Sequence, residues 1–152
     1  DQSSAASDVY KRQVLAILLI TLIKWNAIIT LASGKPYEIA ILSIICAHSL
    51  SRFSIIVIPY FSIPASDEGL ARYAGEPETR GVIGGFLLTS FLIFLLLPFD
   101  QAILSAVLAI LVAGVVGLLA NFQIKGYTGD ILGAAQQVSE ATVLVYLASS
   151  SS

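Results

Sequence analysis

The chain has 152 residues, 57% of them hydrophobic and 12% charged, with a net charge of −2 and a mean hydropathy of +0.87. Soluble domains carry about 25% charged residues, so the bilayer is the expected solvent and a polytopic transmembrane helix bundle the expected all-α fold. Near-neutral charge argues against a nucleic-acid partner, and one cysteine with one histidine excludes a disulfide framework and a His/Cys zinc site.

The first residues lack the basic start, short apolar core and small-residue cleavage site of a signal peptide. Asp8–Gln13, DVYKRQ, matches the translation of a transposon end used to prepare sequencing libraries. Residues 1–13 are therefore expected to be a non-native or disordered leader, with Val14 the first native residue. Residues 14–148 form the expected transmembrane domain, and 149–152 a serine tail.

Five apolar segments follow, each close to the roughly 20 residues that cross a bilayer as a helix. They run Val14–Ser33, Ile39–Phe61, Val82–Pro98, Ala102–Phe122 and Asp130–Ala148. GKPYE turns the chain after the first, and Pro98-Phe99-Asp100 after the third. The polar loop IPASDEGLARYAGEPETRG holds Asp67, Glu68, Glu76 and Glu78, read as solvated. These runs are apolar at every position, so barrel strands are not expected; helices satisfy their backbone internally. Cys46 reads as a small apolar side chain, and Trp25 and Tyr60 as ordinary membrane-protein aromatics.

Ionisable residues inside a span cost about 2.5–3.5 kcal/mol on insertion scales and mark functional sites. Lys24, Arg52 and Glu140 are of this kind. Lys24 sits near mid-span and calls for a buried partner. His48 and Arg52 stand four apart on one helix face; His48 alone also suits a hydrogen-bonded packing role. Arg52, Asn121, Lys125 and Asp130 all fall toward the 62–81 end, so the polar residues are expected to converge there. Gly126 and Gly129 permit close backbone approach, and Thr128 or Asp130 can cap the last helix. The free amides of that terminus favour phosphate, and Asp130 is compatible with phosphate through a bridging Mg²⁺. A plain cap is the alternative for Asp130. Asp130, Gly133 and Gln137 share a helix face, with Glu140 one step round, and this stripe is expected to face the bundle interior.

KGYTGDILGAAQQVSE at 125–140 resembles the C-terminal signature of the adenosylcobinamide-GDP ribazoletransferase (cobalamin synthase) family, a Gly-Gly-x-Thr-Gly-Asp-x-x-Gly-Ala run ending in Glu. Lys125 stands where the first glycine is usual. LIKWNAI at 22–28, AHSLSRF at 47–53 and EGLARYAG at 68–75 are similar to its Lys-Trp span, Ser-Arg segment and central loop. The resemblance implies Mg²⁺-dependent joining of adenosylcobinamide-GDP to α-ribazole, or its 5′-phosphate, with release of GMP. It implies catalytic roles for Asp130 and Arg52, and phosphate or substrate contacts for Lys24, His48, Ser51, Gly126, Thr128, Gly129 and Gly133. Asp130 and Glu140 are the metal candidates, Glu140 from a second shell, with the tuning of Lys24 or Arg52 as the other role implied for Glu140. The family's acidic His-x-Asp-Gly-Leu-Ala-Asp type motif and Lys-Asp-Ser-Arg segment do not occur here, so the chain is expected to be a C-terminal part, inactive by itself. The competing readings are a transporter fragment, against which no internal repeat is found, and a non-catalytic membrane subunit. Oligomerisation is left open.

Short loops rich in Lys and Arg stay in the cytoplasm. Arg72, Arg80 and Lys125 fall on one side and Lys35 on the other, which places the 62–81 loop inside and an active site at the cytoplasmic face of the inner membrane. In a Cys46→Ala background, a cysteine at Lys35 should react with an impermeant thiol reagent in intact cells and one at Ala74 should not. The reverse pattern inverts the topology.

Overall fold

The computed structural model describes residues 2–33, 36–65 and 77–150, with side chains from Val9 onward. The segment EGLARYAG, the loop acids Asp67, Glu68 and Glu76, and the basic residues Lys35 and Arg72 lie outside the described residues. Five helices make up the fold: α1 (Gln2–Ala32), α2 (Tyr37–Phe61), α3 (Thr79–Leu96), α4 (Phe99–Ile124) and α5 (Gly129–Ser150). All five contain a stretch long and apolar enough to cross a membrane; in α1 it is Val9–Ala32. Among the described residues there is no strand, only an isolated bridge between Pro64 and Tyr127.

The spans match the apolar segments to within a few residues at most ends. The exception is α1, whose backbone is helical from Gln2, well before Val14. Ser149 and Ser150 likewise continue α5, with hydroxyls bonded to the carbonyls of Tyr146 and Leu147. Pro36 and Pro98 sit immediately before α2 and α4 with φ of −57° and −53°. There a missing N–H costs nothing and the fixed φ suits helix entry. Several hydroxyls within the spans are satisfied locally: Thr21, Thr30, Ser49 and Thr142 each donate to the carbonyl four residues back.

Helix α5 is the hub. It packs on α2, α4 and α1, while α3 leans on α2 and touches α4 lightly. Small residues line these contacts: Ala40, Ala47, Ala102, Ala109 and Ala148 are buried with Leu50, Val143, Leu144 and Leu147. Lipid tails are as apolar as leucine, so close backbone approach rather than hydrophobicity drives such packing. The large side chains accordingly point outward, Leu88 and Phe122 being 71% and 85% exposed.

One end of the bundle is tied by backbone. Ala65 N–H donates to Tyr127 O at 2.9 Å, and Tyr127 N–H to Ile63 O at 3.0 Å, clamping the α2 exit against the α4–α5 turn. Tyr127 is 2% exposed and packs with Ile58 and Ala135. Gly126 makes this approach feasible, since a Cβ there would lie 2.6 Å from Ile63 O and 2.8 Å from Ala65 Cα. Just before it, Lys125 ends α4 at φ 56°, ψ 32°, the left-handed cap geometry that glycine adopts without penalty. Two outcomes follow for thermal unfolding in detergent. Gly126→Ala should lose about 1–3 kcal/mol, because the clashing atoms are backbone. Lys125→Gly should gain about 1 kcal/mol by relieving the left-handed strain.

Candidate functional site

The charged residues of the spans meet at the α1–α2–α5 junction. Lys24 on α1 donates from Nζ to Gln137 Oε1 at 2.6 Å and pairs with Glu140 Oε1 at 3.1 Å. His48 on α2 brings Nδ1 within 3.2 Å of the same Glu140 oxygen, though off the line of a hydrogen bond. The Arg52 Nη2 reaches His48 Nε2 in a long contact of 3.5 Å. The lysine is well covered and the glutamate nearly fully, their side chains being 17% and 9% exposed, whereas Arg52 is exposed. Two residues of α5 thus satisfy Lys24. Glu140 Oε2 is buried without a partner, so the carboxylate retains unused acceptor capacity.

This cluster lies deeper than the sequence suggests. Glu140 is eleven residues into α5, and His48 is thirteen before Phe61, which puts both near mid-bilayer at about 1.5 Å per residue. Arg52 stands nine residues, about 14 Å, from the α2 exit, while Asp130 occupies the first turn of α5 at that end. The expected convergence of Arg52 and Asp130 is therefore corrected: they belong to two levels of the bundle. The expected inward stripe through Asp130, Gly133 and Gln137 is also corrected. The buried face of α5 runs Ala135, Ser139, Val143 and Leu147, more than a third of a turn away round the helix, because it must meet α2 and α4 together. Ser139 marks this seam, accepting from Ser54 Oγ at 3.3 Å and lying 3.5 Å from Ala109 O.

The remaining candidates divide clearly. Ser51 is fully buried and donates to His48 O at 3.0 Å, so its hydroxyl braces α2. Gly126 is closed against 63–65, and its close approach is to the chain itself. Gly129 and Gly133 have open space where a Cβ would stand. Thr128 is the cap of α5, its Oγ1 accepting from Ile131 N–H at 3.4 Å. Asp130 is exposed and left available for other work. An apolar cleft of about 320 Å³ between α2 and α4, floored by Gly114 and Gly117, opens near Ser62 and Asn121, which meet at 3.4 Å.

As a metal site, the expected pair does not fit. Asp130 and Glu140 are ten residues apart, about 15 Å along a helix, and no cluster of three or more His, Cys, Asp or Glu able to hold an ion occurs among the described residues. Asp130 alone does suit Mg²⁺, which commonly takes one or two carboxylates and completes its shell with water and substrate phosphate. The sequence left Glu140 open between Lys24 and Arg52, and the structure pairs it with Lys24; Gln137 was not expected as a second partner of Lys24. The signal was there in Gln137 and Glu140, polar at i and i+3 in an apolar run, but nothing local says which helix they face.

The geometry defines a helical membrane protein with an intramembrane cationic cluster and a glycine-flanked carboxylate at one end. The chain belongs to the cobalamin-5-phosphate synthase family, whose family model matches residues 13–148. It is 31% identical over 135 residues to the adenosylcobinamide-GDP ribazoletransferase of Bradyrhizobium diazoefficiens, covering 89% of this chain and 51% of that protein. The same enzyme of Shewanella pealeana is 35% identical over 136 residues (88% and 52%), and that of Mesorhizobium japonicum 34% over 131 (86% and 49%). The chain spans about half the length of the curated relatives it matches. No solved structure matches it.

Removing one partner of a buried ion pair leaves an uncompensated charge and costs about 3–5 kcal/mol, whereas replacing both with apolar groups is near neutral. Glu140→Ala should therefore lower the detergent unfolding midpoint steeply, and Lys24→Met with Glu140→Leu should recover most of the loss.

Proposed function

We propose that this chain is the part of an adenosylcobinamide-GDP ribazoletransferase that binds phosphate and carries Asp130, acting in cobalamin biosynthesis. The observation that carries the reading is the charge surplus within the spans. Lys24 and Arg52 are set against the single carboxylate of Glu140, and Arg52 keeps N–H groups without a partner among the described residues. Uncompensated cations at bilayer depth are costly unless they meet an anion, and a guanidinium matches phosphate oxygens two at a time. The substrate named for the relatives, adenosylcobinamide-GDP, carries such a pyrophosphate.

The reaction is a phosphoryl transfer. The ribazole hydroxyl oxygen bonds to the phosphorus bearing the cobinamide, the bond from that phosphorus to the bridging oxygen breaks, and GMP leaves with that oxygen. The hydroxyl proton passes to a base or to water. Catalysis of this kind rests on positioning and charge neutralisation. Lys24 and Arg52 supply fixed positive charge, and Asp130 orients the attacking hydroxyl or holds Mg²⁺. When bound, Mg²⁺ supplies neutralisation of the phosphate oxygens. The two levels of the site suit a long substrate entering from the Asp130 end. That end carries Arg80 and Lys125 and is assigned to the cytoplasm, where nucleotide-linked substrates reside. The protein partners are then small molecules and the lipid bilayer.

In the full-length protein, Asp130→Asn should reduce GMP release by about 10²-fold or more, as expected for loss of a ligand or charge-stabilising group. Its unfolding midpoint should not move, since Thr128 is the cap. Arg52→Lys keeps the charge but loses the planar fork and should also slow turnover. Wild-type rates in both variants refute the assignment.

A further inference from the structure

Lys24 and Arg52 reach the site from different helices, and nothing on α1 or α2 alone fixes one relative to the other. The link runs through α5. The Lys24 ammonium has three N–H groups; Gln137 Oε1 takes one at 2.6 Å and Glu140 Oε1 faces another at 3.1 Å, leaving one for a ligand. Arg52 can only donate, so its contact with His48 Nε2 at 3.5 Å requires that nitrogen to be the acceptor. His48 Nδ1 in turn lies 3.2 Å from Glu140 Oε1, off the line of a hydrogen bond. The imidazole stands between Glu140 and Arg52 in contact with both, so its placement links the two.

We infer that Gln137 and Glu140 are positioning residues, holding Lys24 directly and Arg52 through His48 so that both cations present their remaining N–H groups to one phosphate-bearing ligand. Gln137 matters here because its amide holds the ammonium without adding charge. A carboxylate in its place would hold Lys24 as well but cancel the surplus positive charge that draws the anion. An apolar residue would leave the charge and lose the hold. The inference rests on the reading that Lys24 and Arg52 receive phosphate.

The opposed effects give the test, in the full-length protein reconstituted in proteoliposomes and assayed for GMP release. Gln137→Leu should lower kcat by about tenfold or more through misplacement of the ammonium, with KM little changed. Gln137→Glu should recover kcat while KM for adenosylcobinamide-GDP rises by about tenfold, the order of one opposed charge. Equal losses of kcat in both variants indicate a packing role and overturn the inference, as do wild-type kinetics in both. Should Gln137→Leu fail to accumulate, Gln137→Glu decides: a KM rise with kcat retained supports the inference, and a kcat loss overturns it. If the wild-type protein releases no GMP, the transferase reading fails, and inorganic pyrophosphate binding by calorimetry in detergent becomes the readout. Wild-type binding that weakens about tenfold in Gln137→Glu and is little changed in Gln137→Leu then supports the inference; equal binding in all three, or no binding, overturns it.

Discussion

Glu140 is the group around which the bundle is arranged. It lies near the middle of α5, 7% exposed, and one of its oxygens faces both the Lys24 ammonium and the His48 ring. None of these charges is stable at bilayer depth by itself. Lys24 needs an anion on a neighbouring helix, and Glu140 needs a cation. The register of α1 against α5, and of α2 against α5, is therefore set by where these side chains can meet. The small residues do the rest: with alanine and serine at the contacts, the backbones come close enough for the long side chains of Lys24 and Gln137 to bridge them.

The same arrangement separates two levels. The cationic cluster is near mid-span, while the glycine-flanked turn and Asp130 stand at the end where residues 63–65 clamp Tyr127. The clamp depends on Gly126 having no side chain, and the α5 terminus depends on Thr128 for its cap. Because Thr128 and the clamp carry the structural burden, Asp130 is free of it. An exposed carboxylate with no capping duty, on a turn held rigidly from beneath, is well placed for chemistry at the surface. The two cations lie deeper, Lys24 well covered and Arg52 exposed.

Charge surplus distinguishes this cluster from helix glue. A structural ion pair needs equal charges, and Lys24 with Glu140 satisfies that requirement. Arg52 does not enter the balance. Among the described residues its one polar side-chain contact is the long one to a histidine nitrogen, and its guanidinium is exposed. A non-catalytic subunit would gain nothing from that residue at that depth, which favours the transferase reading over the structural one.

The sequence by itself determined the solvent, the number of spans, their ends to within a few residues except at the start of α1, and the short run at 125–140 that carries the family resemblance. Hydropathy is a local property, and prolines and glycines punctuate it where the backbone must turn. What only the tertiary structure decided was which face of each helix looks inward. In a bilayer the outer face is as apolar as the inner one, so periodicity gives weak guidance, and the stripe through Asp130, Gly133 and Gln137 gave way to one through Ser139 and Val143. For the same reason Lys24 could be recognised as needing a partner and Glu140 as serving Lys24 or Arg52, but only the structure put Glu140 on Lys24 and added Gln137. Gly126 read as an opening for phosphate and proved to be the seat of a backbone clamp, because a glycine's use depends on which atoms approach it, and those atoms lie some sixty residues away.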